Sequence, residues 1–221
     1  MNTRDTPHIE VDPAHPARAP RTARVLKTAQ ILAAAEAAFA RYGFEGVALD
    51  DIASSLDLSR QNLLYYYPSK EQLYYAVLDS VLQTWLQSMG GIAAAPDPET
   101  AIRDYVHVKL RYSRERPSGS AVFTHEVMTG APRYAKRLRE LVLPALQADV
   151  AAFERWADSG LIRRVDFTHL MFLIWSSTQG YADLGAQYAL LLGKHSLQQS
   201  DYEQAERLIT QFILAGLKPD L

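Results

Sequence analysis

Residues 59–70 read Ser59-Arg60-Gln61-Asn62-Leu63-Leu64-Tyr65-Tyr66-Tyr67-Pro68-Ser69-Lys70, and this stretch decides the fold. Ser59 is a good N-cap, and the helix it starts must stop before Pro68, because the residue ahead of a proline avoids helical geometry. Leu63 and Tyr67 lie one turn apart and face inward. Arg60, Gln61, Asn62, Tyr65 and Tyr66 are left largely outward, a concentration of hydrogen-bonding side chains that is odd for a purely structural helix. Arginine can pair with guanine and asparagine or glutamine with adenine, while tyrosine hydroxyls suit phosphates or thymine edges. Just upstream, residues 50–56 predict another short helix with Ile52, Ala53 and Leu56 inward, and Asp57, Leu58 and Ser59 make the break. Two short helices joined by such a turn form a helix-turn-helix.

Working outward, Ile31, Ala35, Ala38, Phe39 and Tyr42 recur at helical spacing over residues 24–42, and Gly43 stands where a left-handed cap belongs. Ahead of them, Pro7, Pro13, Pro16 and Pro20 punctuate residues 1–20, which read as a disordered arm without the order of a signal peptide. Arg18, Arg21, Arg24 and Lys27 stand there with no acid between Pro13 and Gln30. They either neutralise phosphates or form a solvated tail. Downstream, Ser69 and Gln72 have capping-box spacing and start a helix through Leu73, Val77, Leu78, Val81, Trp85 and Met89, which Gly90 and Gly91 end. Further helices are predicted over 98–116, 118–129, 132–159 with an interruption at Pro144, 166–192 closed by Gly193, and 200–217. No stretch alternates with the two-residue period of a strand, so the fold is all-α with about nine helices.

Composition excludes several classes. The 221 residues are 48% hydrophobic and 22% charged, as expected of a globular chain, and include no cysteine, which removes disulfides, thiolate metal sites and a thiol nucleophile. A reducing cytoplasm fits. The net charge of −2, from 23 basic and 25 acidic side chains, is not that of a generally basic nucleic-acid binder. No apolar run approaches the 18 or so residues that span a bilayer. No G-x-S-x-G elbow, phosphate-cradling glycine loop, H-E-x-x-H or paired carboxylates mark an enzyme. His107, His125 and His169 are not spaced as a metal set. Lys70 stands out, because a cation in the first turn of a helix opposes the macrodipole by roughly 0.3–1 kcal/mol. A phosphate docked there would reverse the sign; the alternative is a lysine paired with a nearby acid.

Phe39, Gly43, Phe44, Asp51-Ile52-Ala53, Ser59, the run from Asn62 through Tyr67-Pro68-Ser69-Lys70-Glu71, and Leu73 resemble the TetR family of one-component regulators. That resemblance implies a helix-turn-helix DNA-binding domain over 21–70, an effector-binding and dimerisation domain over 71–221, and a homodimer on a double-stranded operator. It implies base or phosphate contact at Gln61, Asn62, Tyr65 and Tyr66 and phosphate contact at Lys70. Val47-Ala48 replace the usual threonine pair, which removes a helix cap, and Asp57 replaces a turn glycine, which aspartate tolerates because it enters the left-handed region better than most residues.

Trp85-Leu86, Lys109-Leu110, Glu126, Gly130-Ala131-Pro132 and Ile174-Trp175-Ser176-Ser177-Thr178-Gln179-Gly180-Tyr181-Ala182-Asp183 resemble the branch of that family that serves pyrimidine utilisation, which implies uracil or thymine as the effector and no cofactor. His125 stands where that branch is apolar. The chemistry agrees: Trp175 and Gln179 are one turn apart and share a face with Thr178 and Ala182, so an indole can stack on a planar ring while the amide meets its edge. Trp85 is placed to close the other side, and Asp183 or Glu126 to accept a ring N–H. Other readings remain: Trp175 as ordinary core, a larger aromatic or drug-like ligand, or a helical interaction protein with no effector. Side chains filling the space around Trp85, Trp175 and Gln179 mark the protein with no effector, a mostly apolar cavity of about a few hundred cubic ångström there marks a sensor, and one much bigger than a single ring marks the larger ligand. Small residues at Ser176, Ser177, Gly180, Ala182, Gly185 and Ala186, beside Leu190–Leu192 and the leucines of 208–214, suit a dimer interface in the last two helices, and suit intramolecular packing as well.

Overall fold

A computed structural model describes residues 21–219, in which α1 (Arg21–Tyr42), α2 (Leu49–Ser54) and α3 (Arg60–Tyr66) form a helix-turn-helix head. The rest is α4 (Lys70–Ala94), α5 (Pro98–Glu115), α6 (Pro117–Met128), α7 (Ala135–Arg137), a π-helical turn (Leu138–Val142), α8 (Leu143–Asp158), α9 (Phe167–Asp183), α10 (Gly185–Leu191) and α11 (Gln199–Gly216), with no strand among the described residues. The predicted arm over residues 1–20 lies outside them.

Local signals set most boundaries. Ser59 Oγ accepts from Asn62 N at 3.2 Å, and Ser69 Oγ accepts from Gln72 N at 3.1 Å. Ala48, at the N-cap of α2, makes no side-chain cap, as its missing hydroxyl requires. Asp57 sits at φ +55° in the α2–α3 turn and Gly43 at φ +67° after α1.

The structure refines the sequence signals in four places. The stripe of α1 is sealed at Ile31, Ala35 and Phe39, but Tyr42, expected inward, is exposed because its ring edges an open groove between α1 and α2. Gly90 and Gly91 do not end α4: each glycine costs about 0.5–1 kcal/mol in a helix, but Met89 and Ile92 are buried around them, and the helix runs on to Ala94. Pro144 lies in the first turn of α8, and the expected interruption falls just ahead of it. Having no N–H for the carbonyl four residues back, it follows a wider π turn. Residues 166–192 break at Leu184, where α10 turns back so that Tyr188 lies over Gly180; a Cβ at Gly180 would stand 3.1 Å from Tyr188 Oη. The latter two breaks turn nine expected helices into eleven and a π turn.

Two apolar cores result. One joins the head to α4 and continues to Tyr112, Val122, Phe123 and Tyr134. The other joins Met89 and Ile92 to α5, α8, α9 and α11. Buried polar groups are mostly matched: Glu36 on α1 accepts from Arg116 Nε at 2.9 Å and from Ser118 Oγ at 2.6 Å. Asp149 on α8 differs, being 1% exposed with Oδ2 lacking a partner among the described residues. Burial pushes its carboxyl up to about 7. A carboxyl raised on folding contributes stability that is fully present below its unfolded pKa and lost as pH rises through the folded value. Asp149→Asn should therefore raise Tm at pH 8, by the equivalent of a few kcal/mol. Its advantage should shrink below pH 7 and disappear by about pH 4, which thermal melts across that range would check.

Candidate functional site

The polar side of α3 is a small platform. Leu63 is fully buried, and Leu64, Tyr66 and Tyr67 pack partly against the head core, so the helix is held from below. Gln61, Asn62 and Tyr65 project into solvent. Arg60 is engaged, its guanidinium 2.7 Å from Asp50 Oδ2 across an exposed pair. Arg24 of α1 stands 5.5 Å over the Tyr65 ring and adds a cation to the platform. Tyr66, expected outward, is half-buried and meets Tyr65 edge-on. Lys70 turns toward the α1–α2 connection, with Nζ 3.4 Å from the Glu45 carbonyl and 4.5 Å from the Phe44 ring centre.

A cavity of about 140 Å³, smaller than the few hundred cubic ångström expected, opens between α4, α5, α6, the π turn and α9. Trp85, Trp175 and Gln179 all line it. Tyr105, Lys109 and Phe123 join them, together with aliphatic groups from α4 and the π turn. Trp175 Nε1 donates to Tyr105 Oη at 2.7 Å. Phe123 meets Trp85 edge-on at 4.4 Å, and Lys109 Nζ lies 4.4 Å from the Trp85 ring centre. Lys109 is only 5% exposed; burial holds its pKa down to about 8 against the pull of Asp183.

The other expected residues stand outside the lining. Thr178 is sealed away, its hydroxyl donating back to the Ile174 carbonyl at 2.8 Å. Glu126 is buried with both oxygens occupied: Oε1 accepts the backbone N–H groups of Arg133 and Tyr134 at 2.7 and 2.9 Å, and Oε2 accepts the Tyr74 hydroxyl at 3.0 Å. Asp183 is a support behind Gln179, with Oδ2 accepting from Thr124 Oγ1 at 2.8 Å and from Gln179 Nε2 at 3.2 Å. Tyr105 and Lys109, which the sequence reading did not place in the site, are one turn apart on α5, the same spacing that singled out Trp175 and Gln179.

The loop after α6 links cavity and head. Arg133 stacks 3.9 Å from the Phe44 ring centre and pairs with Glu45 at 2.6 Å. Tyr134 donates to Asp79 of α4 at 2.6 Å, and four residues on, Leu138 forms part of the cavity wall. Elsewhere on the surface, α9–α11 expose large apolar side chains: Leu190 and Leu191 are each 77% exposed and Phe212 72%, and Phe172, Leu173 and Leu208 are exposed as well. Among the described residues no cluster could hold a metal ion, and no helix is long and apolar enough to cross a membrane.

Two family models match the chain: "Bacterial regulatory proteins, tetR family" over residues 31–77 and "YcdC-like protein, C-terminal region" over residues 78–220. The HTH-type transcriptional regulator RutR of Escherichia coli strain K12 is 35% identical over 193 residues, 87% of this chain and 91% of that protein. The TetR family regulator PfmR of Thermus thermophilus superposes with a TM-score of 0.69 at 20% identity, covering 86% of this chain and 97% of PfmR. AibR, solved in complex with isovaleryl coenzyme A and operator DNA, superposes with a TM-score of 0.67 at 17% identity, covering 84% of this chain and 97% of AibR.

The geometry of Glu126 generates a direct test of its part in the structure. Glu126→Ala strips acceptors from two backbone N–H groups and a tyrosine, and should cost about 1–3 kcal/mol in urea unfolding, whether or not a small molecule is present.

Proposed function

The chain belongs to the TetR family of bacterial regulatory proteins and is a transcriptional regulator, not an enzyme; we propose that it is a cytoplasmic repressor, released from its operator by uracil, thymine or a planar ring of that size. In this reading residues 21–70 form the DNA-reading head, residues 71–221 hold effector and partner, and the controlled genes serve pyrimidine breakdown. Gln61, Asn62 and Tyr65 reach base edges or backbone in the major groove, with Arg60, Tyr66, Lys70 and Arg24 at the phosphate rim. The exposed leucines and Phe212 of α9–α11 pair two copies, so that two heads address a roughly palindromic operator.

One observation carries the choice of effector: the cavity is the size of a single ring and is faced by two indoles and a fixed carboxamide. A cavity of about 150 Å³ suffices for benzene, whereas drug-sized ligands need about 300 Å³ or more. A helical interaction protein without effector has no use for such a space. Occupancy acts on the head by two routes, through Trp85 on α4 and through the π turn to Arg133 and Phe44. For decisive release the effector must favour the non-binding arrangement by about 5.5 kcal/mol.

Fluorescence anisotropy with operator-containing promoter DNA tests this reading. Binding should weaken steeply with salt, fall about tenfold or more for Asn62→Ala, and be reversed by millimolar uracil or thymine. Gln179→Ala should keep DNA binding and lose the response. Salt-sensitive binding that no pyrimidine reverses would remove the pyrimidine effector, and the absence of any sequence-preferring binding would remove the operator-binding reading.

A further inference from the structure

Lys109 is a cation taken out of water, and burying a charge is costly unless something is supplied to meet it. Among the described residues Nζ has no hydrogen-bond acceptor and no ion-pair partner; its neighbour is the face of Trp85, inside the cavity. Gln179 presents the complementary group. Its amide nitrogen donates to Thr124 Oγ1 at 2.9 Å and to Asp183 Oδ2 at 3.2 Å. A carboxylate only accepts, which fixes the orientation of the amide and leaves Oε1 as the acceptor still without a donor among the described residues. Asp183 holds the Gln179 amide, and Lys109 and Gln179 both line the same small cavity. The cavity thus offers one donor and one acceptor without protein partners among the described residues, in a lining that includes two indoles.

Resting on the reading of this cavity as the effector site, we propose that Lys109 and Gln179 select planar single rings by a cis-lactam edge, Lys109 Nζ donating to the ring carbonyl and Gln179 Oε1 accepting the adjacent ring N–H. Uracil and thymine carry this edge, and so do rings that are not pyrimidines, of which 2-pyridone is the simplest. An aromatic carboxylate satisfies the lysine but sets its second oxygen against Gln179 Oε1, acceptor to acceptor. A ring methylated on the lactam nitrogen keeps the carbonyl and loses the donor.

Calorimetry on the full-length protein with 3-methyl-2-pyridone, N-methyl-2-pyridone, benzoate and uracil tests the assignment. The two methylpyridones have the same size and differ in the N–H, so the first should bind about tenfold tighter or more. Lys109→Met, of similar volume and uncharged, should weaken 3-methyl-2-pyridone by about tenfold or more, and thermal melting shows whether the variant is folded. If it is not, the ligand series on the unaltered protein still decides. Equal affinities for the two methylpyridones, tighter binding of benzoate, or no binding of any ring would each overturn the lactam assignment. Binding of 3-methyl-2-pyridone with its N–H preference intact but none of uracil would uphold it while removing the pyrimidine reading.

Discussion

One continuous helix belongs to both halves of the molecule, and the rest of the structure depends on it. The first part of α4 is locked into the head core by Leu73, Tyr74, Val77 and Leu78, all essentially sealed from solvent. Its later turns supply Leu82, Trp85 and Met89 to the cavity wall. Because the chain stays hydrogen-bonded helix from Lys70 to Ala94, a displacement of Trp85 cannot be absorbed at a hinge between cavity and head. It has to be passed to the end of the helix where α3 is docked. The Phe44 ring, held between Lys70 and Arg133, is a second brace between the same two regions. A packed interior has few intermediate positions available, so small shifts at one end are transmitted as discrete rearrangements.

The buried carboxylates show how the halves are tied together. Glu36 joins α1 to the α5–α6 corner, Glu126 joins α6 to α4 and to the loop that reaches the head, and Asp183 joins α9 to α6. Each is matched by donors, as a buried carboxylate must be to be tolerated. None of the three carboxylates lines the cavity, which leaves Trp175, Gln179, Lys109 and Tyr105 to face whatever enters. Among the described residues, Asp149 and Lys109 are buried charges without such matching, and both are shifted toward neutrality by burial.

Much of this was legible in the sequence. The inward stripe of α1 as far as Phe39, the Ser59 and Ser69 caps and the exposed amides of α3 follow from local rules, because each depends on residues within one or two turns, whereas the left-handed Asp57 was legible through the turn glycine it replaces in the family. Trp85, Trp175 and Gln179 were legible as a set because helical spacing places the latter two together and resemblance supplies the first. What was not legible depends on tertiary packing. Gly90 and Gly91 look like a stop until Met89 and Ile92 are seen to be buried. Glu126 looks available until the loop after α6 folds back to donate to it. Thr178, one residue from Gln179, points the other way into a sealed joint, and Lys109 looks like a surface cation until α4 and α9 close over it.

The central claim, that occupancy of the cavity repositions the reading heads, is tested most directly by the distance between them. The chain has no cysteine, so a nitroxide at Ser54→Cys, exposed at the end of α2, marks one point on each head of the proposed dimer. Pulsed dipolar spectroscopy should give a single inter-head distance compatible with adjacent major grooves, about 34–36 Å apart at their centres, when operator is bound. Adding uracil should move that distribution by about 2 Å or more as DNA is released. Release of DNA with an unchanged distribution would contradict the claim.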